Sequence, residues 1–200
     1  MIARFLRRPH GAAEWVADAV RVVGLLSVVA AFVGWSVTDA GILALVLPAL
    51  LVPRFVGVHP LFDVGYGVTL LVAAWSNVFD LYTRVWWWDL VVHFACTGVI
   101  AALVYLLLAR VGMLAAPGSQ GFSLATSLVF CATFGLAGSA VWEMIEWLGK
   151  TYVSPAISVE YGDTIGDMTI GGLGAVVAGV LLWASRPMPP TGSRPGVSPG

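Results

Sequence analysis

Apolar residues fall in six near-continuous runs, not in the alternation of a strand or the narrow stripe of a soluble helix. The runs cover about residues 15–37, 40–56, 61–78, 86–109, 122–148 and 164–185. A helix rises about 1.5 Å per residue and needs about 20 such residues to cross the hydrocarbon of a bilayer. Apolarity on every face suits a helix that touches lipid and other helices, because its backbone groups are satisfied within it. The pattern predicts an all-α, polytopic membrane helical bundle with about six transmembrane helices. Pro48 interrupts the second run and leaves open a full crossing, a strongly tilted one or a re-entrant segment.

Composition removes the competing fold classes. The 200 residues are 59% apolar and 10% charged, with mean hydropathy +0.91. A soluble domain carries about 25% charged residues, and disorder demands a polar composition. Residues 1–186 read as a single transmembrane domain. Residues 187–200, rich in Pro, Gly and Ser, read as a disordered cytoplasmic tail. A formal net charge of −1 gives no reason to expect nucleic acid as a partner; the bilayer itself is the expected one. Cys96 and Cys131 lie mid-span, lack disulfide or zinc spacing, and read as small packing residues.

Basic residues near span ends set the expected sidedness. With the N-terminus cytoplasmic and six spans alternating, Arg4, Arg7, Arg8, Arg21, Arg54, Arg110, Arg186 and Arg194 fall inside, and only Arg84 and Lys150 outside. Both termini are then cytoplasmic. The first run is too long for the core of a cleaved signal peptide and has no clean small-x-small site. Residues 111–121 read as a flexible inside loop. Residues 150–162, with Tyr152, Val153, Ile157, Val159 and Tyr161, read as an ordered outside loop.

Against this background the acidic residues stand out. An ionisable group at the centre of a span costs at least about 2.5–3.5 kcal/mol, so each needs a reason. The fourth span carries Asp89 and His93, the fifth Glu143 and Glu146, and the start of the sixth Asp163 and Asp167. Separations of four, three and four residues put each pair on one helical face. Alternating topology brings all six groups to one depth, near the outer headgroup boundary. Small residues continue each face: Thr97 and Ala101; Ser139, Gly135 and Cys131; Gly171, Ala175 and Gly179. Such stripes let helix backbones approach closely in lipid, so the three spans are expected to pack with their polar pairs facing one another. Five carboxylates in one shell would have only Arg84 and Lys150 as nearby cations. Such a shell must hold protons, cations or both. Carboxylates with one imidazole suit Mg²⁺, Mn²⁺, Fe²⁺ or Zn²⁺.

Plainer readings exist for each group. Asp163 could cap the sixth helix, Glu143 and Glu146 could be solvated at a helix end, and His93 could be a structural hydrogen-bonding group. Asn77 and Asp80 sit three apart at the outer end of the third span, either as a second shell of the cluster or as an ordinary loop boundary. Trp86, Trp87, Trp88, Trp142 and Trp147 flank the cluster and read mostly as headgroup-level anchors. His59 and Asp63, at the opposite end, read as loop residues.

The segment Ser139-Ala-Val-Trp-Glu-Met-Ile-Glu-Trp147, the segment Asp163-Thr-Ile-Gly-Asp-Met168 followed by Gly174-Ala175, and the element Asp89-x3-His93-Phe94 resemble the YjdF-like bacterial inner-membrane proteins. The resemblance covers about residues 88–179. A glutamine-rich stretch of that family's pattern is absent here around Tyr161 and Gly162. The order of an Asp-x3-His, an acidic element and a late Asp pair is more loosely similar to the VanZ-like proteins, a group associated with resistance to a glycopeptide antibiotic that acts outside the membrane. The resemblance implies a small helical bundle in the bacterial cytoplasmic membrane with an outward-facing polar site, and supplies no reaction.

Three functions stay open at this stage. One is a divalent-metal-dependent enzyme acting on an outer-leaflet, lipid-linked substrate. Asp89, His93, Glu143, Asp163 and Asp167 would hold the metal, with Glu146 as general base. Another is a non-catalytic ligand-binding or transport protein whose acids hold protons or a cationic ligand. The last is a structural membrane subunit whose acids stitch helices together.

Overall fold

A computed structural model describes residues 2–153 and 159–185. The described chain is helical throughout: α1 (Ile2–Phe5), α2 (Ala12–Gly34), α3 (Val37–Val56), α4 (Pro60–Val78), α5 (Leu81–Arg84), α6 (Trp88–Arg110), α7 (Leu124–Tyr152) and α8 (Tyr161–Ala184). The six longer ones are long and apolar enough to cross a membrane. Large apolar side chains such as Phe32, Val33, Leu45, Leu61, Val129 and Leu181 point outward, as lipid rather than water demands.

The second run is one helix, although Pro48 and Pro53 both lie inside it. Neighbouring groups can take up what a proline frees in a membrane helix; in the last turns of α3, Arg21 Nε donates to the Leu50 carbonyl at 3.0 Å. A capping box starts α3 three residues early: Ser36 Oγ accepts from Asp39 N–H, and the Asp39 carboxylate accepts from Ser36 N–H. At the other boundary, α7 runs on through Lys150 to Tyr152 and α8 begins at Tyr161, so the 150–162 loop is shorter than the sequence suggests. Part of that loop and the 187–200 tail lie outside the described residues.

Two three-helix halves make up the bundle. Helices α2, α3 and α4 pack together, as do α6, α7 and α8, and α6 joins them through α3, α4 and α5. The first half packs Leu50, Val56, Tyr66, Leu70 and Leu71 against Leu103 of α6. Trp75 Nε1 donates to Ser27 Oγ at 2.9 Å, and Trp88 Nε1 to Ser76 Oγ at 2.8 Å. Trp88 therefore ties α6 to α4, a contact its expected anchoring role did not include. Tyr82, in the short α5, donates to the Ala73 carbonyl, and burial pushes its phenol pKa up, which keeps it neutral.

The second half is held by close backbone approach. A Cβ at Gly174 of α8 would overlap the Phe94 carbonyl of α6, and one at Gly98 would stand 2.9 Å from the Gly174 carbonyl. A Cβ at Gly135 of α7 would overlap that of Ala175. Cys131 is fully buried beside Ala101, Ala102, Tyr105 and Ala175, and both thiols are free. The connection after α6 is fastened to the bundle, where Tyr105 Oη donates to the Ala115 carbonyl at 2.9 Å and its ring meets Phe122 edge-on.

One expectation about the opposite end is corrected. Asp63 is a first-turn residue of α4, and both its oxygens accept from Arg21 Nη2 at 2.7 Å. Asp18 bridges Arg21 at 3.0 Å and Arg54 at 3.2 Å. This network clips α2, α3 and α4 together. His59 caps α4, its Nδ1 accepting from Leu61 N–H at 3.3 Å.

Candidate metal centre

The polar pairs occupy the end of the second half away from that arginine network. Asp89 lies in the first turn of α6, half-buried, and His93 one turn deeper, buried. Asp167 lies in the second turn of α8 and is 3% exposed. His93 Nε2 stands 3.5 Å from Asp89 Oδ1 and 4.0 Å from Asp167 Oδ2. One donor atom from each of the three residues falls within 4.8 Å of the other two. Ligands about 2.0–2.2 Å from a tetrahedral ion stand about 3.3–3.6 Å apart, so small side-chain shifts would bring this trio onto one cation.

Helix α7 adds the second layer of acids. Glu143 is buried at 8% exposure, and its Oε1 has no hydrogen-bond partner. Glu146 is half-buried and accepts from Trp142 Nε1 at 2.9 Å. Asp163 is exposed in the first turn of α8. Asp89 and Asp167 each lie within electrostatic reach of Glu143 and Asp163, and Glu146 within reach of Glu143, Asp89 and Asp167. Carboxylates from three helices thus converge on one region, at the depth of the first turns of α6 and α8.

Asn77 and Asp80 turn to other partners. Asn77 Nδ2 donates to Asp39 at 3.3 Å, across to α3. Asp80 takes a left-handed backbone, φ 55°, and faces Arg84 at 3.7 Å with both side chains exposed. Sequence reasoning treated Thr97 and Ser139 only as packing residues. Both are buried, and a Cβ at Gly171 would lie 2.7 Å from Thr97 Oγ1 and 3.1 Å from Ser139 Oγ. Their signal was the four-residue step from His93 and Glu143. Tyr82, also missed, stands within electrostatic reach of Asp89 and Glu146; nothing in its local sequence marks it.

A family model described as a predicted membrane protein (DUF2238) matches residues 13–187, nearly the whole described bundle and all three acidic pairs. The chain belongs to the DUF2238 family. That is the YjdF-like family. No curated protein and no solved structure matches this DUF2238 member.

Proposed function

We propose that this DUF2238 protein is a divalent-metal-dependent membrane enzyme whose site opens at the outer leaflet and acts on a lipid-linked substrate. The trio of Asp89, His93 and Asp167, with donor atoms within 4.8 Å of one another on two buried side chains and one half-buried one, carries the reading. An imidazole beside two carboxylates favours a transition ion, Mn²⁺, Fe²⁺ or Zn²⁺, over Mg²⁺. Glu143 and Asp163 add negative charge around the ion, and Glu146, steadied by Trp142, is the general base. The excess of arginines near the other end of the spans favours an outward site in a bacterial inner membrane. At that depth a lipid headgroup is the natural substrate; the looser likeness to VanZ-like proteins agrees with an outward-facing acidic site.

A structural reading draws on the same contacts, since His93 between Asp89 and Asp167 links α6 to α8 without an ion. The two separate by metal analysis of detergent-purified protein. We expect at least one bound divalent ion per chain, lost in His93→Ala and Asp167→Asn while the purified protein stays monodisperse. Metal-free wild-type protein across neutral pH, with stability unchanged by added Mn²⁺ or Zn²⁺, would leave the stitching role alone.

A further inference from the structure

The two oxygens of Asp167 differ in their surroundings. Oδ2 is the atom nearest His93, at 4.0 Å, whereas Oδ1 is buried without a hydrogen-bond partner. Two other buried atoms share that condition, Glu143 Oε1 and Ser139 Oγ. Ser139, Glu143 and Asp167 are 4%, 8% and 3% exposed. A polar atom buried without a partner costs free energy comparable to a lost hydrogen bond, and three in one place ask for a shared occupant.

Helix geometry puts these three residues on facing stretches of α7 and α8. Helices α7 and α8 run antiparallel here: Ser139 faces Gly171, its Oγ 3.1 Å from where a Cβ would stand. One turn towards the helix ends, Glu143 therefore faces Asp167 and lies within electrostatic reach of it. Ser139 differs from four other helix hydroxyls of the described residues. Thr69, Ser76, Thr133 and Thr169 each donate to the carbonyl four residues back, the ordinary resting place of a hydroxyl in an apolar helix. The Ser139 hydroxyl makes no such bond, and its oxygen lies on the side of α7 that meets Gly171 of α8. One hydroxyl cannot satisfy two carboxylate oxygens with its single proton, but a cation would be met by all three oxygens.

Charge balance points the same way. Asp89, Glu143, Glu146, Asp163 and Asp167 bring up to five negative charges, while Arg84 is exposed beside Asp80 and Lys150 donates to the Val159 carbonyl. A single divalent ion would leave most of that charge uncompensated.

We propose that Asp167 is a bridging carboxylate between two cation positions, one bounded by Asp89, His93 and Asp167 Oδ2, the other by Asp167 Oδ1, Glu143 Oε1 and Ser139 Oγ. The second donor set is oxygen only, so it takes a hard ion, Mg²⁺ or Mn²⁺. Paired ions about 3.5–4 Å apart are suited to clamping both oxygens of a phosphoryl or carbonyl displacement. The proposal rests on the metal reading above and deepens it.

Mn²⁺ serves as the probe for both positions. Detergent-purified protein loaded with Mn²⁺ and freed of excess should hold two ions per chain by mass spectrometric metal analysis, with the broadened electron paramagnetic resonance of a coupled pair. Ser139→Ala/Glu143→Gln should fall to one ion with an isolated-Mn²⁺ spectrum. One uncoupled ion in wild-type protein would overturn the bridging arrangement and leave the first centre standing. No ion at all would remove both. Should the double variant not fold, the wild-type stoichiometry and spectrum decide alone.

Discussion

At the scale of single residues, absent side chains determine the geometry as much as present ones do. Gly174 and Gly98 let α6 and α8 touch backbone to backbone, and that contact sets the separation at which His93 and Asp167 face each other one to two turns away. The atom a new methyl would strike at Gly174 is the Phe94 carbonyl, part of a helix backbone that cannot swing aside. Gly174→Ala should therefore behave as overpacking and cost about 1–3 kcal/mol, lowering the apparent Tm in detergent by about 2–12 °C. Gly166→Ala, where a Cβ meets open space, is the control and should be neutral or stabilising by up to about 1 kcal/mol. Equal thermal shifts for the two would mean that the α6–α8 contact is looser than these distances require. The metal content of Gly174→Ala should fall along with its stability, since the trio is split between the same two helices.

At the scale of elements, ionic pairing does in the first half what small residues do in the second. Arg21 meets Asp63 from α4, Asp18 from its own helix and the Leu50 carbonyl from α3, and both members of its main pair are nearly buried. Removing one partner strands the other charge, so Arg21→Ala should cost about 3 kcal/mol, whereas Arg21→Met with Asp63→Leu should recover most of it. Thermal unfolding of the three proteins in one detergent tests this; a double variant as unstable as the single one would give the ion pair a role beyond neutralising buried charge. This network was illegible in the sequence because its members lie far apart in the chain and only tertiary packing brings them together, as with Arg21 and Asp63, 42 residues apart. Asn77 and Asp80, left between a second shell and a loop boundary, were undecided for a related reason. Spacing places them on the correct end of α4, but the chain turns left-handed at Asp80 and the available partners are Arg84 and Asp39. By contrast, the six long helices were readable from hydropathy alone, and helical spacing with alternation of the spans placed the three polar pairs at one end without singling out Asp89, His93 and Asp167 from the wider set. Helix ends drifted by up to four residues because caps such as Ser36 and apolar continuations such as Tyr152 act outside the hydropathy signal.

At the scale of the whole molecule, the polar site has a floor. Beneath the acids lies the layer of Thr97, Ser139 and Gly171, and one turn further Gly135 meets Ala175, with Thr97 and Ala101 beside it, so closely that a methyl on Gly135 would overlap its neighbour. Deeper still, Cys131 and Tyr105 are fully buried. A transport path would need polar groups or water-filled space continuing to the other face, as intramembrane ion routes have. Here the descent runs from carboxylate to hydroxyl to methyl and ends in contact. At the far end the network of Asp18, Arg21, Arg54 and Asp63 belongs to α2, α3 and α4, and among the described residues α7 and α8 make no close backbone approach to those helices. The expected behaviour in proteoliposomes is therefore binding without passage: Mn²⁺ presented to the face carrying the acidic pairs should be retained in proportion to protein, and radiolabelled Mn²⁺ should accumulate inside no faster than in protein-free vesicles. Accumulation above that background, abolished by Asp167→Asn, would demand an opening between Gly135 and Ala175 and would turn the pocket into one end of a channel. Retention without accumulation fits a site that works on what reaches it from the headgroup layer, because a dead-end recess can exchange ligand with one side only.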